Sequence, residues 1–370
     1  MRLQRFHLER YFEPYEFTAR HLLSSSDCES YGLAELLEWA DDECHELWQG
    51  LRLGYTESRG LPALRREIAG LYEGVKPDDI LEVVPEEGIL LAMTVLLEPG
   101  DHVIATHPGY QTLYGIAEML GCEVTYWQPD EEQGWRFDPA FVRAHLRPTT
   151  RLIVANFPHN PTGALLTGAE FEEVLGLAAA AGAHLFSDEM YRWLERDPAG
   201  RLPSAVEKYE KAVTLCGLSK SFSLPGLRVG WLATRDRELA ARVAAAKDYT
   251  TICGGAPGEV LGLIGLRERR RIVARNRERI AANLERLCGF VAARPELLSL
   301  VPPQAGSVCF PRLHAAEGAS AFCRRLVDEA GVLLVPSSAF ACGDAHVRFG
   351  LGRAGFAEGL AAFAEWLDGR

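Results

Sequence analysis

The sequence predicts an α/β fold: a large domain with a mainly parallel sheet flanked by helices, plus a smaller α+β domain. Three observations lead there. The 370 residues exceed what one small core organises and suffice for two packed domains. From about residue 81, short apolar runs alternate with longer helical segments, the pattern of strand–helix units around a parallel sheet. After about residue 256 that rhythm gives way to short strands set among helices.

Taken in order, the strands of the first part are expected at 81–84, 102–106, 123–127, 152–156, 184–187, 212–216 and 229–233. Each is a short run dominated by apolar, often β-branched or aromatic residues, such as Val103-Ile104 and Leu152-Ile153-Val154, which suit a pleated, buried surface. Helices are expected between them at 88–97, 111–120, 139–145 and 168–181. In the second part the sequence predicts a long helical region over 267–290, strands near 307–310, 332–335 and 346–349, and helices near 319–329 and 355–367. In sheets of the first kind, ligands collect at the carboxyl ends of the strands. Asn160, Asp188 and Lys220 each follow a predicted strand closely, so the fold brings them to one edge.

Composition narrows the function classes. With 48% hydrophobic and 24% charged residues, the chain reads as an ordinary soluble globular protein. A formal net charge of −12 argues against a nucleic-acid footprint, which requires a basic face. The one basic run, Arg267 to Arg279, is broken by Glu268 and Glu278 and interleaved with Ile272 and Val273, as on a solvated helix face. Nine cysteines, an odd number without a C-x-x-C pair, read as reduced residues, and no metal-ligand grouping is evident. The start, Met1 to His7, lacks the apolar stretch of a signal peptide, and no run approaches a membrane span, so a cytoplasmic location is expected.

The chemistry is carried by an ordered set of side chains: an amine (Lys220, in Leu218-Ser219-Lys220-Ser221), a carboxylate (Asp188), an amide (Asn160, in Asn160-Pro161-Thr162-Gly163), a phenol (Tyr191) and a guanidinium (Arg228). Together they are the equipment for holding pyridoxal 5'-phosphate as a Schiff base. Asp188 would keep the ring nitrogen protonated; taken alone, it fits a helix N-cap equally well. Asn160 and Tyr191 would donate to the ring's phenolic oxygen, although Asn160 also suits a turn and Tyr191 a packed core. Arg228 would grip the phosphate with its planar fork, helped by Ser219 and by amides at the start of the helix around Glu87 and Gly88. Tyr110 follows a predicted strand and would cover the ring face. Arg348 stands in an otherwise largely apolar strand and needs an anionic partner, either a substrate α-carboxylate or an internal carboxylate.

The chain resembles the fold type I pyridoxal-phosphate enzymes of the class I/II aminotransferase superfamily. The resemblance runs from Gly54-Tyr55-Thr56-Glu57-Ser58-Arg59-Gly60 through Pro99-Gly100-Asp101-His102 to Arg348. It implies that Lys220 is the Schiff-base lysine, Asp188 the ring-nitrogen partner, Asn160 and Tyr191 the phenolate donors, Arg228 the phosphate arginine and Arg348 the carboxylate arginine. It further implies a homodimer in which Tyr55 reaches the neighbouring active site. It places residues 37–256 in the cofactor-binding domain and packs 1–36 with 257–370 in the small domain.

The chain also departs from the pattern. Relatives carry a hydroxyl residue three positions before the lysine, where Gly217 stands, so either Ser219 takes over or the phosphate has one contact fewer. Two acids, Glu86 and Glu87, precede the Gly88 helix. Leu22-Leu23-Ser24-Ser25-Ser26-Asp27 replaces a glycine-containing segment. That stretch, with Glu9-Arg10-Tyr11-Phe12 and Asn156-Phe157-Pro158-His159, is similar to enzymes of the capreomycidine-synthase type. The expected function is a pyridoxal-phosphate-dependent aminotransferase moving an amino group from an amino acid to a 2-oxo acid. A C–S lyase performing β- or γ-elimination, or a cyclase acting on a hydroxylated arginine, is the alternative on the same scaffold. A cofactor-binding regulator would need a nucleic-acid-binding module that this acidic chain does not show.

Overall fold

A computed structural model describes residues 4–369. Met1, Arg2, Leu3 and Arg370, which belong to the expected ranges 1–36 and 257–370 and to the start segment read above, lie outside the described residues.

The strands, in chain order, are β1 His21–Leu22, β2 Ile80–Val83, β3 His102–Thr106, β4 Glu123–Trp127, β5 Thr150–Asn156, β6 His184–Asp188, β7 Ala212–Gly217, β8 Gly230–Ala233, β9 Leu298–Ser299, β10 Val308–Cys309, β11 Arg312–Leu313, β12 Val332–Leu333, β13 Val335–Pro336 and β14 Val347–Gly350. The α-helices are α1 His7–Phe12, α2 Leu33–Leu37, α3 Asp42–Gln49, α4 Pro62–Ala69, α5 Pro85–Leu96, α6 Thr112–Met119, α7 Pro139–His145, α8 Gly168–Ala181, α9 Ala205–Lys208, α10 Arg237–Lys247, α11 Ala256–Arg267, α12 Arg269–Ala292, α13 Ala319–Ala330 and α14 Phe356–Asp368.

Seven strands form one sheet in the order β2-β8-β7-β6-β5-β3-β4. All neighbours are parallel except β8, which runs antiparallel to both β2 and β7. The central strands are buried on both faces, as strands covered by helices must be. Their side chains alternate between two cores. Ile104, Ile153 and Leu185 face the side covered by Val174 and Ala178 of α8. Val103, Leu152, Val154 and Phe186 face the other side, with Ile89 and Met93 of α5.

The helix expected at 88–97 starts three residues earlier, at Pro85, because a proline at the first helical position needs no N–H partner. Glu87 closes that end by accepting the Val84 N–H at 3.3 Å. The helical region expected at 267–290 is one helix, α12, running from Arg269 to Ala292; a further helix, α11, precedes it and is separated from it at Glu268. The helices of the first seventy residues and α10 had no clear signature in the strand–helix rhythm.

The C-terminal part carries a three-stranded antiparallel sheet, β10-β14-β13, with Arg348 on its central strand. Residues 21–29 run against it. Gly350 donates its N–H to Leu23 O at 2.7 Å, and Glu29 donates to Gly352 O at 2.9 Å. Gly350 must be a glycine, because a Cβ there would lie 1.7 Å from Ser25 O. β1 pairs in parallel with β12, so this early segment is stitched to residues more than 300 positions later.

Candidate active site

The sheet delivers its functional residues by register. Asn156, last in β5, is level with Asp188, last in β6, and Asp188 is level with Leu215 of β7. Beyond those ends lies a cavity of about 330 Å³ to which Asp188, Asn160, Tyr191, Lys220, Arg228 and Arg348 all contribute. It sits at the carboxyl edge of the parallel strands, where such sheets bind ligands.

Asn156 organises the floor. Its Oδ1 accepts the Asn160 N–H at 2.9 Å, and its Nδ2 donates to Asp188 O at 3.2 Å. Asp188 is buried, and its Oδ1 accepts the Met190 N–H at 3.0 Å. Burial pushes its carboxyl up to about 7; Glu86 and Glu189 act in the same direction, while the Met190 N–H and Lys220 oppose it. A carboxylate in that state calls for a cation opposite it. Tyr191 is 3% exposed and its Oη completes no hydrogen bond. His159 ties the Asn160 turn to the loop after β3: its Nε2 donates to Pro108 O at 2.7 Å, and its Nδ1 accepts from Thr162 Oγ1 at 2.7 Å. Burial lowers its pKa to about 3, so the ring is neutral.

Lys220 follows β7 and points its Nζ at Ser26 Oγ, 2.8 Å away. Burial and the Arg348 charge depress its pKa, and Asp27 and Glu9 oppose them. Arg348 is 1% exposed. It donates from Nη1 to Asn160 Oδ1 at 3.3 Å and from Nη2 to Ser24 O at 2.9 Å, and its Nε has no partner. It makes no ion pair with an internal carboxylate among the described residues, so the internal-carboxylate alternative falls away.

Arg228 is exposed at the cavity edge with φ +56°, just after the Pro225–Leu227 turn, and its Nη1 donates back to Pro225 O at 3.1 Å. Ser219 and Tyr110 also line the cavity. Tyr110 donates its hydroxyl to Glu9 Oε1 at 3.0 Å, and its ring lies 5.3 Å from Phe6.

Two residues expected there, Gly88 and Glu87, do not line the cavity. The Gly88 N–H is spent on Val84 O at 2.9 Å, as any residue past the first helical turn must spend it, and Gly88 packs on Val83 of the sheet. Glu87 turns away and accepts from Thr251 N and Oγ1 at 3.1 and 2.8 Å. The acid that enters the cavity is Glu86, which accepts the Thr112 hydroxyl. Tyr55 is 92% exposed and lies outside this chain's cavity.

The departure at Gly217 has a packing cause. A Cβ there would stand 3.0 Å from Gly230 Cα and 3.1 Å from Pro85 Cγ. The Gly217–Gly230 pair, in register across β7 and β8, leaves room for the N-terminal proline of α5 and none for a hydroxyl side chain.

Sequence reasoning missed the residues of the opposite wall. Leu8, Glu9, Phe12 and Glu16 come from α1 and the turn after it, and Ser26 and Asp27 from the segment along β14. The spacing 9, 12, 16 places one side chain per turn on a single helical face, a signal available in the sequence.

The residues present fit pyridoxal 5'-phosphate. A buried acid with a raised pKa, an unpaired buried phenol, a lysine of depressed pKa and an exposed arginine converge on one cavity.

The sequence profile of the family described as aminotransferase class I and II matches residues 22–363. The chain is 32% identical to the probable N-succinyldiaminopimelate aminotransferase DapC of Mycobacterium tuberculosis over 288 residues, 76% of this chain and 72% of that protein. It is 31% identical to capreomycidine synthase of Streptomyces vinaceus over 367 residues, 97% of this chain and 91% of that one. Among solved structures, a PLP-dependent aminotransferase from Streptococcus suis superposes with a TM-score of 0.93 at 34% identity, covering 100% of this chain and 98% of the other.

Proposed function

The chain belongs to the class I and II aminotransferase family, a pyridoxal-phosphate-dependent enzyme family, and from that premise we propose how its own residues carry amino transfer from an amino acid to a 2-oxo acid. The cofactor, when bound, supplies an electron-withdrawing ring that takes up the electron pair left at the substrate α-carbon. Lys220 would hold the cofactor through its Nζ and, with an amino acid bound, would move the proton of the α-carbon. Its depressed pKa suits a base that must give the proton back. Asp188 keeps a proton on the ring nitrogen, because a cation there relieves the burial cost of the carboxylate. Tyr191 and Asn160 would donate to the phenolic oxygen, and Tyr110 would cover one ring face. Arg228, Ser219 and the free amides in the first turn of α5 would take the phosphate; Gly88, whose N–H is spent on Val84 O, drops out of that set.

Arg348 binds the substrate α-carboxylate. The observation that carries this is its full burial with Nε unpaired, while Asn160 Oδ1 and Ser24 O hold the rest of the guanidinium in place. Residues 37–256 would form the cofactor-binding domain, and the described residues of 1–36 and 257–370 the small domain. A homodimer is supported by the exposed Leu53, Tyr55, Tyr249 and Ile252, apolar groups of a kind that a second copy would cover, with Tyr55 reaching the neighbouring site.

Initial rates with varied amino acid and 2-oxo acid test the reading. Parallel double-reciprocal lines are expected, since the amino group waits on the enzyme between half-reactions. Steady turnover of one amino acid without any 2-oxo acid rejects transamination. Such turnover would favour the second reading, a cyclase, for which the supporting observation is the capreomycidine synthase match over 97% of this chain.

A further inference from the structure

The charges lining the cavity do not balance once the cofactor and an α-carboxylate are assigned. Arg228, Arg348 and Lys220 are the cationic residues in the wall, and each already has a task. On the acidic side Asp188 faces the ring nitrogen and Glu86 is tied to Thr112. Asp27 is paired with Arg353 at 2.8 Å. Glu9 and Glu16 remain. Glu9 accepts only the neutral Tyr110 hydroxyl, and neither has a cationic side chain within ion-pair distance among the described residues.

Their placement is specific. Glu9 and Phe12 lie on α1, and Glu16 follows one turn later, its N–H donating to Phe12 O at 2.9 Å. Phe12 lies between them in sequence, and its ring stands 5.9 Å from the Arg348 guanidinium carbon. The wall therefore holds a buried arginine, an apolar ring beside it, and two carboxylates on the same helical face as that ring. Two further groups show that this cavity is built for a ligand: Arg348 Nε and Tyr191 Oη are buried in its lining without partners.

We propose that Glu9 and Glu16 form the side-chain subsite of the substrate, and that the amino donor is an α-amino acid with a guanidinium or ammonium at the end of an aliphatic stem. Arg348 takes the carboxylate, Phe12 covers the stem, and the two acids take the distal cation. Burial and the neighbouring Glu9 and Asp27 raise the pKa of Glu16, as mutual repulsion of uncompensated acids requires. A distal carboxylate would meet those acids and find no free cation in this wall. The inference rests on reading the cavity as the amino-acid site of an aminotransferase.

The test uses the cofactor-loaded enzyme and L-arginine against L-citrulline, its near-isosteric neutral counterpart. The readout is half-saturation of the absorbance change of the bound cofactor. L-Arginine should half-saturate at a concentration lower by on the order of tenfold, the lower range for charge-assisted hydrogen bonds at a partly exposed site. In Glu9→Gln/Glu16→Gln the ratio should fall close to one. Should loss of the Tyr110 contact unfold the double variant, Glu16→Gln alone, at the exposed rim, should still cut the ratio by more than half. Equal or tighter binding of L-citrulline or L-glutamate overturns the proposal, as does silence toward L-arginine, L-lysine and L-ornithine, or an arginine preference that survives both substitutions. If neutral amino acids react with a 2-oxo acid and cationic ones are not preferred, the subsite fails while transamination stands. An arginine preference with no dependence on a 2-oxo acid keeps the subsite and rejects transamination.

Discussion

Asp188→Asn should stabilise the cofactor-free protein while removing its activity. The carboxyl titrates at about 7 in the folded chain against an ordinary 3.8, and burial is the main cause. Below about pH 4 the acid is protonated in both folded and unfolded chains, and the site costs nothing. As pH rises toward 7 the unfolded chain ionises first, so stability falls; above 7 the whole penalty is present. At 1.36 kcal/mol per pKa unit it amounts to about 4 kcal/mol. Asparagine keeps the shape and carries no charge. Differential scanning calorimetry of the cofactor-free proteins at pH 8 should show the variant melting higher by on the order of 5–10 °C. At pH 5 the gap should shrink by roughly half or more, since the ionisation penalty is then only partly incurred. Adding cofactor should reverse the ranking, because a protonated ring nitrogen compensates the aspartate and not the asparagine. The reasoning fails if cofactor-free Asp188→Asn melts at or below the unmodified protein at pH 8, or if the difference does not depend on pH.

Lys220→Ala should abolish turnover while the protein still folds, and borohydride treatment of the unmodified holoenzyme followed by peptide mapping should mark Lys220; a mark on another lysine rejects its role. Arg348→Lys keeps the charge but loses the planar fork, so kcat/KM should drop by about 10- to 100-fold for the amino acid and the 2-oxo acid alike; a loss confined to one half-reaction contradicts a shared carboxylate anchor. Gly217→Ser should not restore a phosphate contact. Its Cβ would crowd Gly230 Cα and Pro85 Cγ, costing about 1–3 kcal/mol of stability, and tighter cofactor binding with an unchanged melting temperature would refute that packing argument.

The two walls of the cavity differ in how far they could be read from the chain, and the reason is physical. Asn160, Asp188 and Lys220 were legible because each follows a strand of a parallel sheet, and parallel strands bring their carboxyl ends to one edge regardless of what the helices do. A short run of sequence therefore locates each residue without any long-range register. Gly88 failed because a helix start was placed three residues late: once Pro85 occupies the first helical position, the Gly88 N–H falls inside the hydrogen-bonded turn and only the residues before it, Glu86 and Glu87, have free amides. The substrate wall depends on contacts that no local pattern encodes. Ser26 meets Lys220 across 194 positions, and Arg348 meets Ser24 across 324. Those contacts exist because residues 21–29 lie along β14, where Gly350 admits the Ser25 carbonyl. The helical face of Glu9, Phe12 and Glu16 could be drawn from spacing, but the direction in which it looks is decided by α1 docking on the loop after β3 through Tyr110 and Gln111. Cofactor chemistry was thus written in local order, whereas the choice of substrate rests on tertiary contacts between the two ends of the chain. A substitution at Gly350 or Gln111 should accordingly shift substrate preference before it disturbs how the cofactor is held.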